Sequence, residues 1–349
     1  AETATVAPAP DPGPEEGGAS ATPDRDVADC RALAGEASAG VPPNAEAARE
    51  HRTALAAAAG ACTRAAGADD APPDLLFLAA EIAQGRRDTA RAFALLQRAA
   101  KAGFGPAETR LGDYYLFGAA PGGKNIEAAV EHYEKATLLH DAPGMTTLAL
   151  MHRAATGVPK DPARMVALLG WAADAGYHFA QYRLAQTYLN GEGIPGRSDE
   201  SLGIPDPARA AKLYTKAAEA GNMQAALELA ALYADPNSPL GENPEERARL
   251  VRMAANAGLP EAKAALAALY ETGQGVEKDP ALAAQLYVEA LESGKLAFDE
   301  LRRAAPARWD EATAIEFQRL LADRGLYDGA LDGVVGPNTR AAARALSGR

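Results

Sequence analysis

The residues with the greatest potential for chemistry are five histidines: His51, His132, His140, His152 and His178. None of them forms an H-E-x-x-H zinc motif, and none lies beside a cysteine. His132 and His140 are eight residues apart and could share a helix face, whereas His152 takes the place of a repeated tyrosine, which favours packing. The sequence also lacks a G-x-S-x-G motif and a phosphate loop. We therefore predict no catalytic, metal or cofactor site.

The two cysteines, Cys30 and Cys62, lie in stretches of helical composition. Two buried thiols would be unremarkable in a reducing compartment, but in an exported protein a disulfide between two helices is the natural interpretation. The bridge would close a loop of about 31 residues and stabilise the fold by about 3–4 kcal/mol on the chain-entropy model. We predict this disulfide within an N-terminal helical cap over residues 26–73.

A pattern that recurs six times within residues 74–295 predicts a series of similar helices. Each copy opens with Asp or Asn, a favoured N-cap, and places mostly small or apolar residues at offsets four, eight and eleven, on one helix face. Five copies have Gly at offset fifteen, which suits a left-handed C-cap, and the second has His140 there. The copies begin at Asp88, Asn125, Asp161, Asp206, Asn243 and Asp279.

A second helical pattern precedes each copy: a small residue, then Leu, then Tyr at intervals of four, as in Ala262, Leu266 and Tyr270. Gly-rich turns join the two helices. The combined pattern resembles the Sel-one-like repeat, a longer relative of the tetratricopeptide repeat. This resemblance implies an all-α fold, a right-handed α-solenoid of six helix pairs. Its concave face, lined by the first helices, would take a partner protein.

Residues 310–349 break the repeat pattern. Asp310 opens a helix predicted to reach about Arg324, and a last helix is predicted from Pro337 to about Leu346. The order of residues resembles the small peptidoglycan-binding domain, through Phe317-Gln318, Leu321, Gly325, Tyr327, Gly329, Asp332-Gly333, Gly336-Pro337, Thr339 and Ala342. The resemblance implies a three-helix module that binds peptidoglycan, with residues 296–309 as a connecting helix or linker.

Five residues of this module are the predicted peptidoglycan contacts: Tyr327, Asp328, Asp332, Asn338 and Arg340. Tyr327 could stack on a sugar, and a core role is an equal alternative. Asp332 is expected to shape a turn with Gly333, whose missing side chain permits positive φ. Asn338 falls in the first turn of the last helix, where capping is an adequate explanation.

Composition bears on compartment and partners. The formal net charge of −12 argues against nucleic acid, and no apolar run approaches the ~18 residues of a membrane span. The sequence begins at Ala1, as a mature exported protein would, although a fragment would look the same. Residues 1–25 are predicted to be a disordered tether, with a partner motif as the alternative, and the insertion at 197–203 is predicted to contact a partner.

These features predict a periplasmic, non-catalytic scaffold or adaptor. It would bind an envelope protein through the solenoid and peptidoglycan through the C-terminal module. Two alternatives stay open. One is a regulator that activates or inhibits a cell-wall enzyme. The other is an intracellular signalling adaptor with a decayed C-terminal module, which predicts free thiols and no binding to peptidoglycan.

Overall fold

The computed structural model describes residues 23–193, 203–303 and 305–348. Over these ranges it contains sixteen α-helices and no strand, which confirms the predicted all-α, helix-pair architecture. Most of the predicted tether, residues 1–22, and most of the insertion, residues 197–202, lie outside the described residues.

The helices follow one another in pairs after two N-terminal helices, α1 (Pro23–Ala34) and α2 (Ala45–Ala65). The first helices of the six pairs are α3 (Pro73–Gly85), α5 (Gly105–Phe117), α7 (Ala142–Ala154), α9 (His178–Asn190), α11 (Met223–Leu232) and α13 (Pro260–Thr272). Their second helices are α4 (Thr89–Lys101), α6 (Ile126–Leu138), α8 (Pro162–Asp174), α10 (Pro207–Glu219), α12 (Pro244–Asn256) and α14 (Pro280–Glu292). The chain ends with α15 (Glu311–Asp323) and α16 (Pro337–Ser347).

The second helices begin and end where the repeated residues predict. Each of the six Asp or Asn residues accepts a hydrogen bond from the backbone N–H three residues later. The alanine at offset eleven is fully buried in every copy, so a larger side chain would separate the packed backbones. The closing glycines have positive φ, and His140 adopts the same conformation with φ 59°. Local capping chemistry therefore sets where each second helix begins and ends.

Two glycines in the turns between paired helices are required by close packing. Gly193 and Gly275 both have positive φ. A Cβ atom at Gly193 would collide with the carbonyl of Pro162, the first residue of α8. A Cβ atom at Gly275 would collide in the same way with the carbonyl of Pro244, the first residue of α12. A side chain is excluded at these positions by both conformation and space.

The chain divides into two compact units. The smaller unit comprises the described residues of Ala1–Ala37 and His51–Phe104. Its core contains the disulfide between Cys30 and Cys62, whose Cα atoms are 4.7 Å apart, and this confirms the predicted pairing. The larger unit comprises the described residues of Ser38–Glu50 and Gly105–Arg349.

The C-terminal module contains two α-helices, α15 and α16, where three were expected. Residues 324–336 between them form turns and bends, because glycines at four positions of this segment disfavour a helix. Phe317 and Leu321 of α15 share a core with Tyr287 and Leu291 of α14. The connecting segment contains a 3₁₀ helix, Phe298–Glu300, and adds Leu301 to this core. Within the larger unit, the module therefore packs directly on the last helix pair.

Candidate functional site

An extended segment of the chain is bound at one end of the first helices. Residues 38–44, here called the strap, connect α1 to α2 and belong to the larger unit. The Val41 N–H donates to the hydroxyl oxygen of Tyr177 at 3.0 Å, and the Val41 carbonyl lies 2.7 Å from Nε2 of His178. Tyr177 lies directly before α9, and His178 is the first residue of this helix. Both backbone polar groups of Val41 are therefore satisfied by side chains at the start of α9.

Asn222 fixes the hydrogen-bonding state of His178. Its Oδ1 caps α11 by accepting from the Ala225 N–H at 3.2 Å, so its Nδ2 faces Nδ1 of His178 at 3.4 Å. Because Nδ1 accepts this bond, the imidazole carries its proton on Nε2 and donates to Val41. Burial also lowers the pKa of His178, which favours the neutral ring. The ring is thus held as a donor for a peptide carbonyl.

Pro143, Tyr177, His178, Gly221 and Asn222 form what we call the strap seat. They lie at the N-terminal ends of α7, α9 and α11, or directly before them. Asn44 donates from Nδ2 to the Gly221 carbonyl at 3.3 Å. Ala39 is buried, whereas Val41 is 54% exposed. The seat therefore contacts the backbone at Val41 and leaves about half of this residue exposed.

A cavity of about 350 Å³ lies beside the strap. Its walls include Arg110, Asp113 and Phe117 of α5 and Phe179 of α9, together with residues 39–42. Phe117 is 79% exposed, which is unusual for so large an apolar side chain. The cavity thus offers aromatic side chains, a positive charge on Arg110 and a carboxylate on Asp113, next to the seat that the strap occupies.

Buried tyrosine–carboxylate pairs join second helices to first helices. Three tyrosines at offset eight of the second helices are fully buried, and each hydroxyl donates to a carboxylate on a first helix. The pairs are Tyr133 with Asp113 at 2.7 Å, Tyr214 with Glu228 at 2.8 Å, and Tyr287 with Glu271 at 2.8 Å. Burial raises the pKa of Asp113 and of all three tyrosines. The tyrosine hydroxyl stabilises a carboxylate that has little access to water.

Replacing Tyr133 by Phe should lower the free energy of unfolding by about 1–2 kcal/mol, because Asp113 then loses its shortest hydrogen bond while remaining largely buried. Chemical denaturation of the full chain measures the change. Tyr188→Phe is the control, since Tyr188 contacts Arg209 through its ring face. Its effect should stay within about 0.5 kcal/mol. Equal effects of the two substitutions would contradict the supporting role of the Tyr133 hydroxyl.

The strap should be held less firmly at acidic pH. The pKa of His178 lies below its ordinary value of 6.5 when the strap is docked, so the docked state prefers the neutral ring. Its contribution to stability is complete above pH 6.5 and decreases as the pH falls below that value. Protonation would place an N–H on Nδ1 opposite the Asn222 amide donor. Other charged groups near the seat are Arg110, Asp113 and Asp141, which act on Tyr177.

Imidazole ¹⁵N NMR tests this pH dependence. We expect His178 to carry its proton on Nε2 and to titrate below 6.5. His178→Gln keeps a donor for Val41 without a titrating ring, so strap docking in this variant should not depend on protonation at position 178. A proton on Nδ1 at neutral pH, or a pKa above 6.5, would contradict the assignment.

The predicted peptidoglycan residues separate into two groups. Tyr327 and Asp332 meet through the buried Gln318, whose Nε2 lies 3.3 Å from the Tyr327 hydroxyl and 2.9 Å from Asp332 Oδ1. The Tyr327 hydroxyl also donates to the Ala330 carbonyl at 2.8 Å. Asp332 accepts from the Val334 N–H at 2.9 Å, and the Gln318 and Val334 bonds lower its pKa. These contacts shape the turns between α15 and α16.

Asp328, Asn338 and Arg340 are exposed. Arg340 donates from Nε to the Val335 carbonyl at 3.3 Å. In the described part of the chain, these three side chains make no hydrogen bond to Gln318, Tyr327 or Asp332. The structure therefore leaves them accessible without assembling all five predicted residues into one group.

The other histidines have individual local roles. His132 lies 2.6 Å from Glu108 and stacks on Tyr115, so it does not share a site with His140, which adopts the left-handed conformation after α6. Nδ1 of His152 lies 3.0 Å from the Pro159 carbonyl. Among the described residues, no three or more His, Cys, Asp or Glu side chains are grouped as metal ligands.

Sequence reasoning did not identify the strap, its seat or Gln318 as functional or organising residues. Gln318 matches the sequence pattern of the module, so the sequence marked this position. It did not indicate that Gln318 bonds to Tyr327 and Asp332. Val41 and Tyr177 are separated by 136 positions and no repeat relates them. Their pairing could not be found from local spacing.

A model of the Sel1 repeat matches residues 76–104, 105–141, 178–222 and 260–295. Each of these four stretches is similar to a Sel1 repeat. The matches fall on the pairs α3–α4, α5–α6, α9–α10 and α13–α14. The pairs α7–α8 and α11–α12 have the same helix-turn-helix arrangement but lie outside the matched residues. A Sel1 solenoid implies a scaffold for protein–protein interaction.

One solved structure with a TM-score above 0.5 agrees with this fold. A Sel1 repeat protein from Oxalobacter formigenes is similar with a TM-score of 0.53 and 23% identity, over 63% of this chain and 86% of that one. A protective antigen of uropathogenic Escherichia coli with an SLR fold has a TM-score of 0.38 and 19% identity, over 93% of this chain and 83% of its own. No curated protein matches the sequence. In the described residues, every helix is too short or too polar to cross a membrane.

Proposed function

We propose that this chain is a non-catalytic scaffold of the cell envelope that binds a protein partner through its first helices. The observation that carries the proposal is the docked strap, in which both backbone groups of Val41 are bound by side chains of Tyr177 and His178. A surface that holds one extended segment in this way has the chemistry to hold a segment of another protein. The adjacent cavity supplies an aromatic and a charged wall for further contacts.

Site-specific photo-crosslinking in cells tests which side of the solenoid binds the partner. A photoreactive residue at Phe117, on first helix α5, is compared with one at Leu138, on second helix α6, which is equally exposed at 78%. We expect Phe117 to give a discrete crosslinked product that Leu138 does not give. A discrete product from Leu138 alone would contradict the proposal, because it would place the partner on the second helices.

The proposed compartment is the periplasm. The Cys30–Cys62 disulfide supports it, since such bridges persist in oxidising compartments and are rare in the cytosol. Thiol alkylation of the chain directly from lysed cells distinguishes the alternatives. Blocked thiols support export, whereas two free thiols would support the intracellular adaptor. Increased or decreased turnover of a co-purified wall enzyme would support the regulator alternative over a passive scaffold.

Association with peptidoglycan through the C-terminal module remains part of the proposal. It is supported by the sequence pattern of the module and by the exposure of Asp328, Asn338 and Arg340. Leu326, Leu331 and Val334 are also exposed nearby in sequence and add apolar surface. Tyr327 and Asp332 both bond to Gln318 within the module, and of the two only Asp332 is also exposed.

Sedimentation with purified sacculi tests this association in the full chain. Removing the module would expose the core that it shares with α14, so surface substitutions are the sounder variants. We expect the wild type to pellet with sacculi and Asn338→Ala with Arg340→Ala to pellet less. Glu316→Ala on the same module is the control. Failure of the wild type to pellet would remove peptidoglycan from the proposal and leave the solenoid's partner unaffected.

A further inference from the structure

We propose that the strap seat is itself a partner-binding site, selective for an extended segment with the order small residue, Gly, any residue, Pro, Pro, Asn. The strap, which has this order, is then a competitor built into the chain. This inference rests on the proposed scaffold function and adds the chemistry of the partner's segment. The partner would replace residues 39–44 at the N-terminal ends of α7, α9 and α11.

The first argument is the division between backbone and side-chain recognition. At Val41, the seat binds the N–H and the carbonyl while 54% of the residue is exposed. Such contacts accept any residue at this position, provided that the backbone is extended. Donor and acceptor are both pre-positioned, because Tyr177 and His178 lie at the start of a helix and Asn222 orients the imidazole.

The second argument is steric selection at the two preceding positions. Ala39 is buried, so a larger residue there would need new space. A Cβ atom at Gly40 would lie 3.1 Å from Cε2 of Tyr177 and 3.2 Å from Oγ of Ser38. A branched side chain at this position would collide with the tyrosine ring that binds Val41. The seat therefore favours a small residue followed by glycine.

The third argument comes from the residues that follow Val41. Pro42 and Pro43 fix φ and so reduce the entropy lost when the segment is bound. Asn44 donates from Nδ2 to the Gly221 carbonyl at 3.3 Å and accepts at Oδ1 from the Ala47 N–H at 2.9 Å. A partner with Pro, Pro and Asn at these positions could make the same contact with Gly221.

The strap is suited to replacement. It is held to the seat by the two bonds of Val41 and the bond of Asn44, and each such bond shifts an equilibrium only several-fold. Its occupancy is favoured because it is part of the same chain and lies between two cysteines that are joined at a sequence separation of 32. A partner at a high local concentration, or with added contacts in the cavity at Phe117, would displace it.

The test uses the full chain and a labelled synthetic peptide, Ser-Ala-Gly-Val-Pro-Pro-Asn, in fluorescence polarisation. Gly40→Val should release the strap and raise peptide affinity at least about tenfold over the wild type. Adding Tyr177→Phe to Gly40→Val should weaken the peptide about fivefold, the size of one hydrogen bond. The control peptide Ser-Ala-Val-Val-Pro-Pro-Asn should not bind, and the control variant Glu36→Val, at an exposed position before the strap, should behave as wild type.

Equal binding of both peptides, or no binding to the Gly40→Val variant, would overturn the proposal. If that variant does not fold, peptide is titrated into the wild type while exchange of the Val41 amide is followed by NMR. Displacement predicts faster exchange of this amide as peptide is added, and a rate independent of peptide up to millimolar concentration would overturn the proposal. If Phe117 crosslinks a partner and the peptide still does not bind, the seat proposal fails and the scaffold function stands.

Discussion

Replacing Glu271 by Ala is expected to lower the free energy of unfolding by about 3–5 kcal/mol, the cost of breaking a buried ion pair. The side chains of Glu271 and Arg302 are only 2% and 10% exposed, and Nη2 of Arg302 lies 2.5 Å from Oε1 of Glu271. The same carboxylate accepts from the Tyr287 hydroxyl and the Asp310 N–H, both at 2.8 Å. The substitution therefore leaves a buried guanidinium and two donors without their acceptor.

The effect should concentrate where the last helix pair meets the C-terminal module. Arg302 stacks over Trp309 with 4.3 Å from Cζ to the ring centroid, and Trp309 packs on Tyr287 and Phe317. Hydrogen exchange should accelerate in α14, α15 and α16 first, and chemical denaturation gives the overall change. Arg303→Ala, which breaks the exposed pair with Glu300, is the control and should cost less than about 1 kcal/mol. Equal costs for the two variants would contradict the role given to Glu271.

Removing the disulfide should produce a second large effect, about 3–4 kcal/mol on the chain-entropy model for a sequence separation of 32. The double replacement Cys30→Ser with Cys62→Ser avoids a reactive single thiol. Because both sulfurs are in the core of the smaller unit, protection from hydrogen exchange should fall in α3 and in the part of α2 after Glu50.

The control for this second prediction is the wild type under reducing conditions, which breaks the same bond without placing hydroxyls in the core. Both samples should lose stability, and the serine variant should lose somewhat more because buried hydroxyls need partners. A serine variant as stable as the oxidised wild type would show that the bridge contributes little to the smaller unit.

The repeats could be predicted from sequence because local chemistry determines them. An Asp or Asn side chain caps its own helix three residues on, and the alanine at offset eleven is small because backbones pack there. His140 shows how far local reasoning extends. It occupies the glycine position and adopts the positive φ expected of glycine, 59°. The residues that determine these helix ends lie within one turn or one helix of each other in the sequence.

The candidate site could not be predicted in the same way, because its contacts join residues far apart in sequence. Val41 meets Tyr177 and His178 across more than a hundred positions, and Glu271 meets Arg302 through a segment outside the repeat pattern. Tyr327 and Asp332 illustrate the opposite difficulty. Their residue types suit a sugar-binding site, but Gln318 engages both within the fold. Residue type alone does not separate a ligand contact from an internal one.

The most direct test of the central claim, that the first helices bind an extended segment at the start of α9, is the hydrogen-exchange rate of the Val41 amide in the full chain. The account predicts exchange at least about tenfold slower than in an unstructured peptide, and a return toward the unstructured rate in Tyr177→Phe, which removes the acceptor. Exchange of the wild-type Val41 amide at the unstructured rate would contradict it, because the strap would then not occupy its seat.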